Sequence, residues 1–65
     1  MKFAYSENEK FVSDCKPLLT ILQIQSETTY RRLAIRVLIG DQEDWLSVHQ
    51  LDNWLNDYGY EELTK

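Results

Sequence analysis

Residues 31–40 read Arg31-Arg32-Leu33-Ala34-Ile35-Arg36-Val37-Leu38-Ile39-Gly40, and this stretch decides the fold. Apolar side chains alternate along it with arginine, alanine and leucine. A period of two with β-branched residues on one side predicts a half-buried β-strand. The side chains expected to face the core are those of Leu33, Ile35, Val37 and Ile39. The arginines lie on the other side, which we expect to face water or a partner.

The segments that flank this strand predict an antiparallel sheet. Residues 18–25 form a second predicted strand, with Thr20, Leu22 and Ile24 expected towards the core. The short polar stretch 26–29 suits a hairpin connection to residues 31–39, but it lacks glycine and leaves the turn type and the register open. After the turn signal at residues 40–42, residues 43–46 form a brief third strand. Residues 2–5 alternate and are a candidate fourth strand.

A first helix is predicted over residues 7–16. Ser6 and Glu9 have the spacing of a capping box at a helix start. Three apolar side chains then share a narrow helical stripe, and Pro17 disfavours helical geometry at the residue before it. These three are Phe11, Val12 and Cys15. In this position Cys15 is expected to behave as a small hydrophobic residue.

A second helix follows another capping box, Ser47 with Gln50. Its apolar residues fall at i, i+3, i+4 and i+7, the spacing of an amphipathic helix. They are Leu51, Trp54, Leu55 and Tyr58, with Val48 extending the stripe. Gly59 is expected to cap the C-terminal end. The tail 60–65 either docks through Tyr60 and Leu63 or frays.

Together these elements predict one α+β domain over residues 1–65. We expect an antiparallel sheet of three to four strands with both helices packed on one face, in the order β-α-β-β-β-α. A chain of 65 residues hides only about 60% of its unfolded surface. The 43% of hydrophobic residues and 12% of aromatic residues are enough for a small core of large side chains.

No pattern in the chain indicates catalysis, a cofactor or a metal. The lone histidine, His49, lies on the polar side of the second helix, and the nearby acids offer no specific ligand set. A single cysteine cannot form an internal disulfide, which favours a reducing, cytoplasmic setting. We find no membrane-spanning run and no signal peptide. We therefore expect a non-enzymatic protein without a cofactor.

Charge divides the chain at Gly40. The net charge of −4 is the sum of +2 over residues 1–40 and −6 over residues 41–65. An acidic surface attracts basic partners, and aromatic residues anchor many interfaces. The predicted partner-binding residues are Glu43, Asp44, Trp45, Asp52, Asp57, Tyr60, Glu61 and Glu62. The alternative surface, for nucleic acid, consists of Tyr30, Arg31, Arg32 and Arg36.

Residues 47–55, Ser47-Val48-His49-Gln50-Leu51-Asp52-Asn53-Trp54-Leu55, come after antiparallel strands in a small acidic chain that begins Met-Lys-Phe. In this the chain resembles small phage-encoded anti-CRISPR inhibitors of type I systems. The resemblance implies a rigid protein that blocks a nucleic-acid-handling complex, often with acidic groups in place of phosphates, as a DNA mimic does. It transfers no binding residue.

Two functions follow as hypotheses. The first is a small acidic interaction module, an inhibitor from a phage or mobile element that binds a basic host complex such as a CRISPR effector. The second is a nucleic-acid-binding or transcriptional regulator that uses the arginine-bearing face of the sheet. Nucleic acid is the less favoured partner because the rest of the chain is acidic. A homodimer is also open, since the third strand leaves a sheet edge available.

Overall fold

The computed structural model of this chain describes residues 5–27 and 32–63. In chain order the elements are β1 Lys10–Val12, β2 Leu19–Glu27, β3 Arg32–Ile39, β4 Gln42–Ser47, α1 Val48–Asp57 and β5 Glu61–Glu62. The strands form one antiparallel sheet in the order β4-β3-β2-β1-β5. The domain is α+β and mostly sheet. The prediction of two helices on three to four strands is wrong, because the described residues contain five strands and one helix.

The first predicted helix, over residues 7–16, does not form. The Glu9 N–H donates to the Ser6 carbonyl at 3.3 Å, which closes a β-turn. Asn8 occupies the third position of this turn with φ of 71°, a left-handed conformation that asparagine tolerates better than most residues. The Glu9 carboxylate accepts the Ser6 N–H at 2.7 Å. In a capping box the same Ser6 N–H would donate to the Glu9 carboxylate at the start of a helix. Here this hydrogen bond stabilises a turn.

β1 follows this turn and uses the apolar residues differently from a helix. Phe11 is 4% exposed and belongs to the core, whereas Val12 is 38% exposed on the other side of the strand. Cys15 lies in the loop after β1 and is exposed, so its predicted place on an apolar stripe is wrong. A strand alternates sides at every residue, and only one of the three predicted apolar side chains is therefore buried.

The β2–β3 hairpin places the core residues. Ile21 lies opposite Val37, and the next aligned pair is Gln23 with Arg36, so Leu22 is an extra residue at a β-bulge. Before the bulge the buried side chains are those of Leu19 and Ile21, and the prediction of Thr20 and Leu22 is wrong there. Because the extra residue reverses the alternation of the strand, Ile24 faces the core as predicted and packs against it.

β3 behaves as its alternation predicts in the centre of the sheet. Ile35 and Val37 are fully buried, and Ile39 packs against the core. Leu33, however, is 43% exposed. A helix of ten residues is about 15 Å long, whereas β2 with nine residues extends about 30 Å. The helix is too short to cover the hairpin along its whole length.

α1 begins and ends where the sequence predicts. The Gln50 N–H donates to Ser47 Oγ at 3.1 Å, and the Ser47 N–H donates to Gln50 Oε1 at 2.9 Å, which completes the capping box. At the other end the Gly59 N–H bonds to the Asn56 carbonyl and the Tyr60 N–H to the Leu55 carbonyl. This pair of bonds is a Schellman motif, which needs the left-handed φ of 63° found at Gly59.

The tail after α1 docks on the sheet. β5 pairs with β1, with Phe11 opposite Glu62 and Val12 opposite Glu61. Of the two alternatives for the tail, docking is the one found, through Tyr60, which packs against the core. The Leu63 side chain is 51% exposed, and the Leu63 N–H donates to the Lys10 carbonyl. α1 therefore carries the chain from the β4 edge of the sheet to the edge beside β1.

Residues 2–4 of the candidate strand 2–5 lie outside the described residues, and Tyr5 is not in a strand. In the ranges 5–27 and 32–63, no helix is long and apolar enough to cross a membrane.

We expect Gly40→Ala to destabilise the fold more than Gly59→Ala. Both glycines have nearly the same left-handed φ, 64° and 63°, so the conformational penalty of about 1 kcal/mol is shared. A Cβ at Gly59 meets no atom within 4 Å, whereas one at Gly40 comes within 3.2 Å of Pro17 Cβ. Urea unfolding of both variants measures the difference, and equal losses of stability would contradict the role of Pro17.

Candidate partner-binding groove

The eight residues predicted to bind a partner do not form one surface. Glu43 and Asp44 are neighbours in β4 and point to opposite faces of the sheet. Asp57 is exposed at the end of α1, and Glu61 lies on the edge strand β5. Trp45 is 47% exposed on the sheet face opposite α1. The negative charge of the C-terminal half is therefore spread around the domain.

Three of the predicted residues do come together beside α1. Asp52, Tyr60 and Glu62 line one cavity of about 490 Å³, together with Tyr5. We call this cavity, defined by Tyr5, Asp52, Tyr60 and Glu62, the acidic groove. Its remaining walls are formed by Phe11, Leu55, Asn56 and Gly59.

A hydrogen bond across the fold fixes one wall of the acidic groove. The Tyr5 hydroxyl donates to Asp52 Oδ1, which joins the segment before β1 to the middle of α1. The Tyr5 ring also packs edge-on against Phe11, with centroids 6.1 Å apart and an interplanar angle of 68°. This bond holds the Asp52 carboxylate in a defined orientation at the groove.

The environment of Tyr5 keeps its phenol protonated. Burial of the side chain is the largest cause, followed by the hydrogen bond to Asp52 and by the negative charge of that carboxylate. All three raise the pKa of Tyr5 well above its ordinary value of 10. The hydroxyl therefore remains a donor to Asp52 throughout the neutral range.

Hydrogen bonds of Tyr60 hold the wall of the acidic groove that lies opposite Tyr5. Its hydroxyl donates to the Pro17 carbonyl at 2.6 Å and its N–H to the Leu55 carbonyl at 2.9 Å. These bonds anchor the start of β5, and the pairing of β5 with β1 then sets Glu62 opposite Phe11 on the helix side of the sheet. The Schellman turn at Gly59 makes this return possible.

The acidic groove combines the groups that recognise an organic cation with an apolar stem. Two carboxylates, of Asp52 and Glu62, stand beside the aromatic rings of Tyr5, Phe11 and Tyr60. Carboxylates accept charge-assisted hydrogen bonds from guanidinium or ammonium groups, and aromatic rings attract cations. The methylene stem of arginine or lysine packs well on apolar walls such as those of Phe11 and Leu55.

The alternative arginine surface is only partly described. Tyr30 and Arg31 lie outside the described residues, as does the side chain of Arg32. Arg36 forms a salt bridge with Glu43 on the neighbouring strand β4. Part of the expected positive charge is therefore already paired within the domain.

His49 and Cys15 are not among the residues that line the acidic groove. His49 is exposed, and Cys15 Sγ lies 3.4 Å from the Tyr58 carbonyl at the end of α1. Within the described parts of the chain, no three side chains of His, Cys, Asp or Glu are placed to hold a metal ion.

Two N–H groups on the sheet edge suggested for dimerisation donate to the domain's own side chains. The Trp45 N–H donates to Asp44 Oδ1 at 2.8 Å, and the Ser47 N–H donates to Gln50 Oε1. These two residues are two positions apart, so their N–H groups leave β4 on the same side. Because β3 pairs with the other side, these bonds occupy donors that an added strand would need.

Sequence reasoning missed Tyr5 as a groove residue. Its bond partner Asp52 is 47 positions away, and no local spacing signals such a contact. Charge is the only sequence signal for the acidic residues. It indicates Asp52 and Glu62, which line the groove, and equally Asp57 and Glu61, which do not.

We predict that tyrosine titration, followed by near-ultraviolet absorbance, has a late step that belongs to Tyr5. Tyr5→Phe should abolish this step, and Asp52→Asn should move it to lower pH because the repelling charge is removed. Tyr58→Phe, which removes one of the three other tyrosines, should leave this step in place.

The direction of the pKa shift of Tyr5 also determines how the stability of the fold depends on pH. Since the folded pKa is raised, the contribution of Tyr5 is complete below pH 10 and declines as the pH rises through the higher folded value. A late step that survives Tyr5→Phe would show that another tyrosine is responsible.

Comparison with known proteins leaves the interpretation of this groove to its geometry. No family model matches the chain, and no curated protein and no solved structure is significantly similar to it. The resemblance of residues 47–55 to anti-CRISPR inhibitors accordingly stays a prediction.

Proposed function

We propose that this chain is a non-enzymatic protein-interaction module that binds a basic partner through the acidic groove. The observation that carries the proposal is the meeting of Asp52 and Glu62 with aromatic side chains in one concave site. The occupant we propose is an arginine or lysine side chain that projects from the partner. Its charge complements the carboxylates, and its stem complements the apolar walls.

The groove is suited to binding a preformed surface. Its two walls are held by hydrogen bonds of Tyr5 and Tyr60 to residues distant in the chain, so little ordering is needed when the partner arrives. The surrounding negative charge of the C-terminal half adds attraction at longer range and raises the association rate. This long-range part weakens as salt is added.

For the partner class, we propose a host complex that handles nucleic acid, such as a type I CRISPR effector. Such complexes carry basic surfaces for phosphates, and the resemblance of residues 47–55 supports this class. A cytoplasmic location belongs to the same proposal and is supported by the single cysteine, which cannot form an internal disulfide.

Binding of a fluorescein-labelled oligoarginine peptide, measured by anisotropy at physiological salt, tests the groove. We expect Asp52→Asn to raise the dissociation constant about tenfold, because a charge-assisted hydrogen bond is lost. Asp57→Asn is the matched control, since it removes the same charge from an exposed position outside the groove. We expect it to change the dissociation constant by less than about twofold.

Two results would contradict the groove as the binding site. Equal weakening by Asp52→Asn and Asp57→Asn would mean that overall charge, and not the groove, attracts the peptide. Binding of mixed oligonucleotides with steep salt dependence, and none of the peptide, would favour the arginine-bearing surface instead.

A phage plaquing assay tests the proposed partner class separately. On a host with an active type I CRISPR system that targets the phage, expression of the chain should restore plaques, and expression of the Asp52→Asn variant should restore fewer. Unchanged plaque numbers with the wild-type chain would remove CRISPR inhibition while leaving the peptide result intact.

A further inference from the structure

The sheet face opposite α1 has no covering element among the described residues. Strand alternation and register place Val12, Arg36, Leu38, Glu43 and Trp45 on this face, which we call the open face. Trp45 is 47% exposed and Val12 is 38% exposed, and Leu38 between them is half-buried. Trp45 stands directly opposite Arg36 in the β3–β4 pair. Tryptophan and arginine are the residue types most enriched among interface anchors.

Among the side chains that the structure describes, those on the open face are balanced in charge. Two cations, Lys10 and Arg36, accompany two carboxylates, Glu43 and Glu61. Among the other side chains that the structure describes, eight carboxylates accompany the single ammonium group of Lys16. The full chain carries a net charge of −4, so two copies repel each other on average, and the described side chains of the open face add no net charge to this repulsion.

We infer that the open face is the contact between two copies of this chain, packed face to face. A two-fold axis brings the same patch of each copy together, so a patch with both signs of charge can complement itself. The apolar anchors Val12, Leu38 and Trp45 then pack between two sheets, together with the polar side chains that β2 contributes to this face, Thr20, Gln23 and Gln25. Edge-to-edge pairing at β4 is disfavoured, because Asp44 and Gln50 occupy N–H groups of the outer edge.

The area of the open face indicates how tightly two copies should bind each other. Five strands span about 19 Å and the longest strand, the nine residues of β2, about 30 Å, which gives a footprint of no more than about 570 Å². A standard interface buries about 800 Å² on each partner. We therefore expect a dimer that dissociates in the micromolar range. The acidic groove lies on the helix side of the sheet and stays open in this dimer.

Analytical ultracentrifugation over a concentration series tests the inference. We expect the mass to rise from 7.8 kDa towards twice this value as the concentration passes through the micromolar range. Trp45→Glu should keep the chain at 7.8 kDa at every concentration, since it replaces the largest apolar anchor of the contact with a charge. The matched control is Asn53→Glu, which adds the same charge on the exposed side of α1 and should leave dimerisation unchanged.

Three outcomes would overturn the face-to-face dimer. They are a wild-type chain that stays monomeric at millimolar concentration, a dimer that persists in Trp45→Glu, and an equal loss in Asn53→Glu. Circular dichroism checks that each variant is folded. If Trp45→Glu unfolds, Val12→Lys tests the same face from β1 and should also abolish the dimer.

Discussion

One short helix has to cover the apolar face of a five-stranded sheet, and the rest of the structure depends on how it does so. Leu51 lies at the centre of this contact and is fully buried, with Leu19, Ile21, Ile35 and Val37 in the same cluster. A helix is about 10 Å wide, whereas the sheet spans about 19 Å. The helix can therefore cover only the middle of the sheet.

The uncovered margins become the concave sites of the domain. On one side of α1 lies the acidic groove, beside β1 and β5. On the other lies a cavity of about 390 Å³ between Lys16, Pro17, Trp54 and the turn that joins β3 to β4. A longer or second helix would fill these margins. In the described structure the segment predicted as a helix instead forms β1, and its Phe11 lines the acidic groove.

The position of α1 is fixed mainly at its ends. Ser47 and Gln50 cap its start directly after β4, and Gly59 turns the chain back towards β1. The loop after β1 contributes at the same end, where Ser13 Oγ donates to the Tyr58 carbonyl at 2.6 Å. The Lys16 ammonium lies 4.6 Å from the centre of the Tyr58 ring. A cation near the C-terminal end of a helix is favourable, and the last turn of α1 has none of its own.

The sequence was informative wherever a local pattern had a single physical solution. The alternation around Ile35 and the helical stripe around Leu51 each place apolar residues on one side, so both elements formed as predicted. Ser6 and Glu9 gave a false signal, because their bond suits a turn with Asn8 as well as a helix start. The bulge at Leu22 and the bond from Tyr5 to Asp52 depend on partners far along the chain, and no local spacing indicates them.

The pairing of β5 with β1 has a consequence for how the chain folds in a cell. Val12 lies opposite Glu61, so the outer part of the sheet joins residues from nearly opposite ends of the chain. Contacts between such distant residues are slow to form, because a large loop must close first. Synthesis proceeds from the N-terminus, and β1 therefore waits without this neighbour until residue 62 has left the ribosome. The β2–β3–β4 meander contains only pairings between consecutive strands, so it can form before β5 completes the sheet.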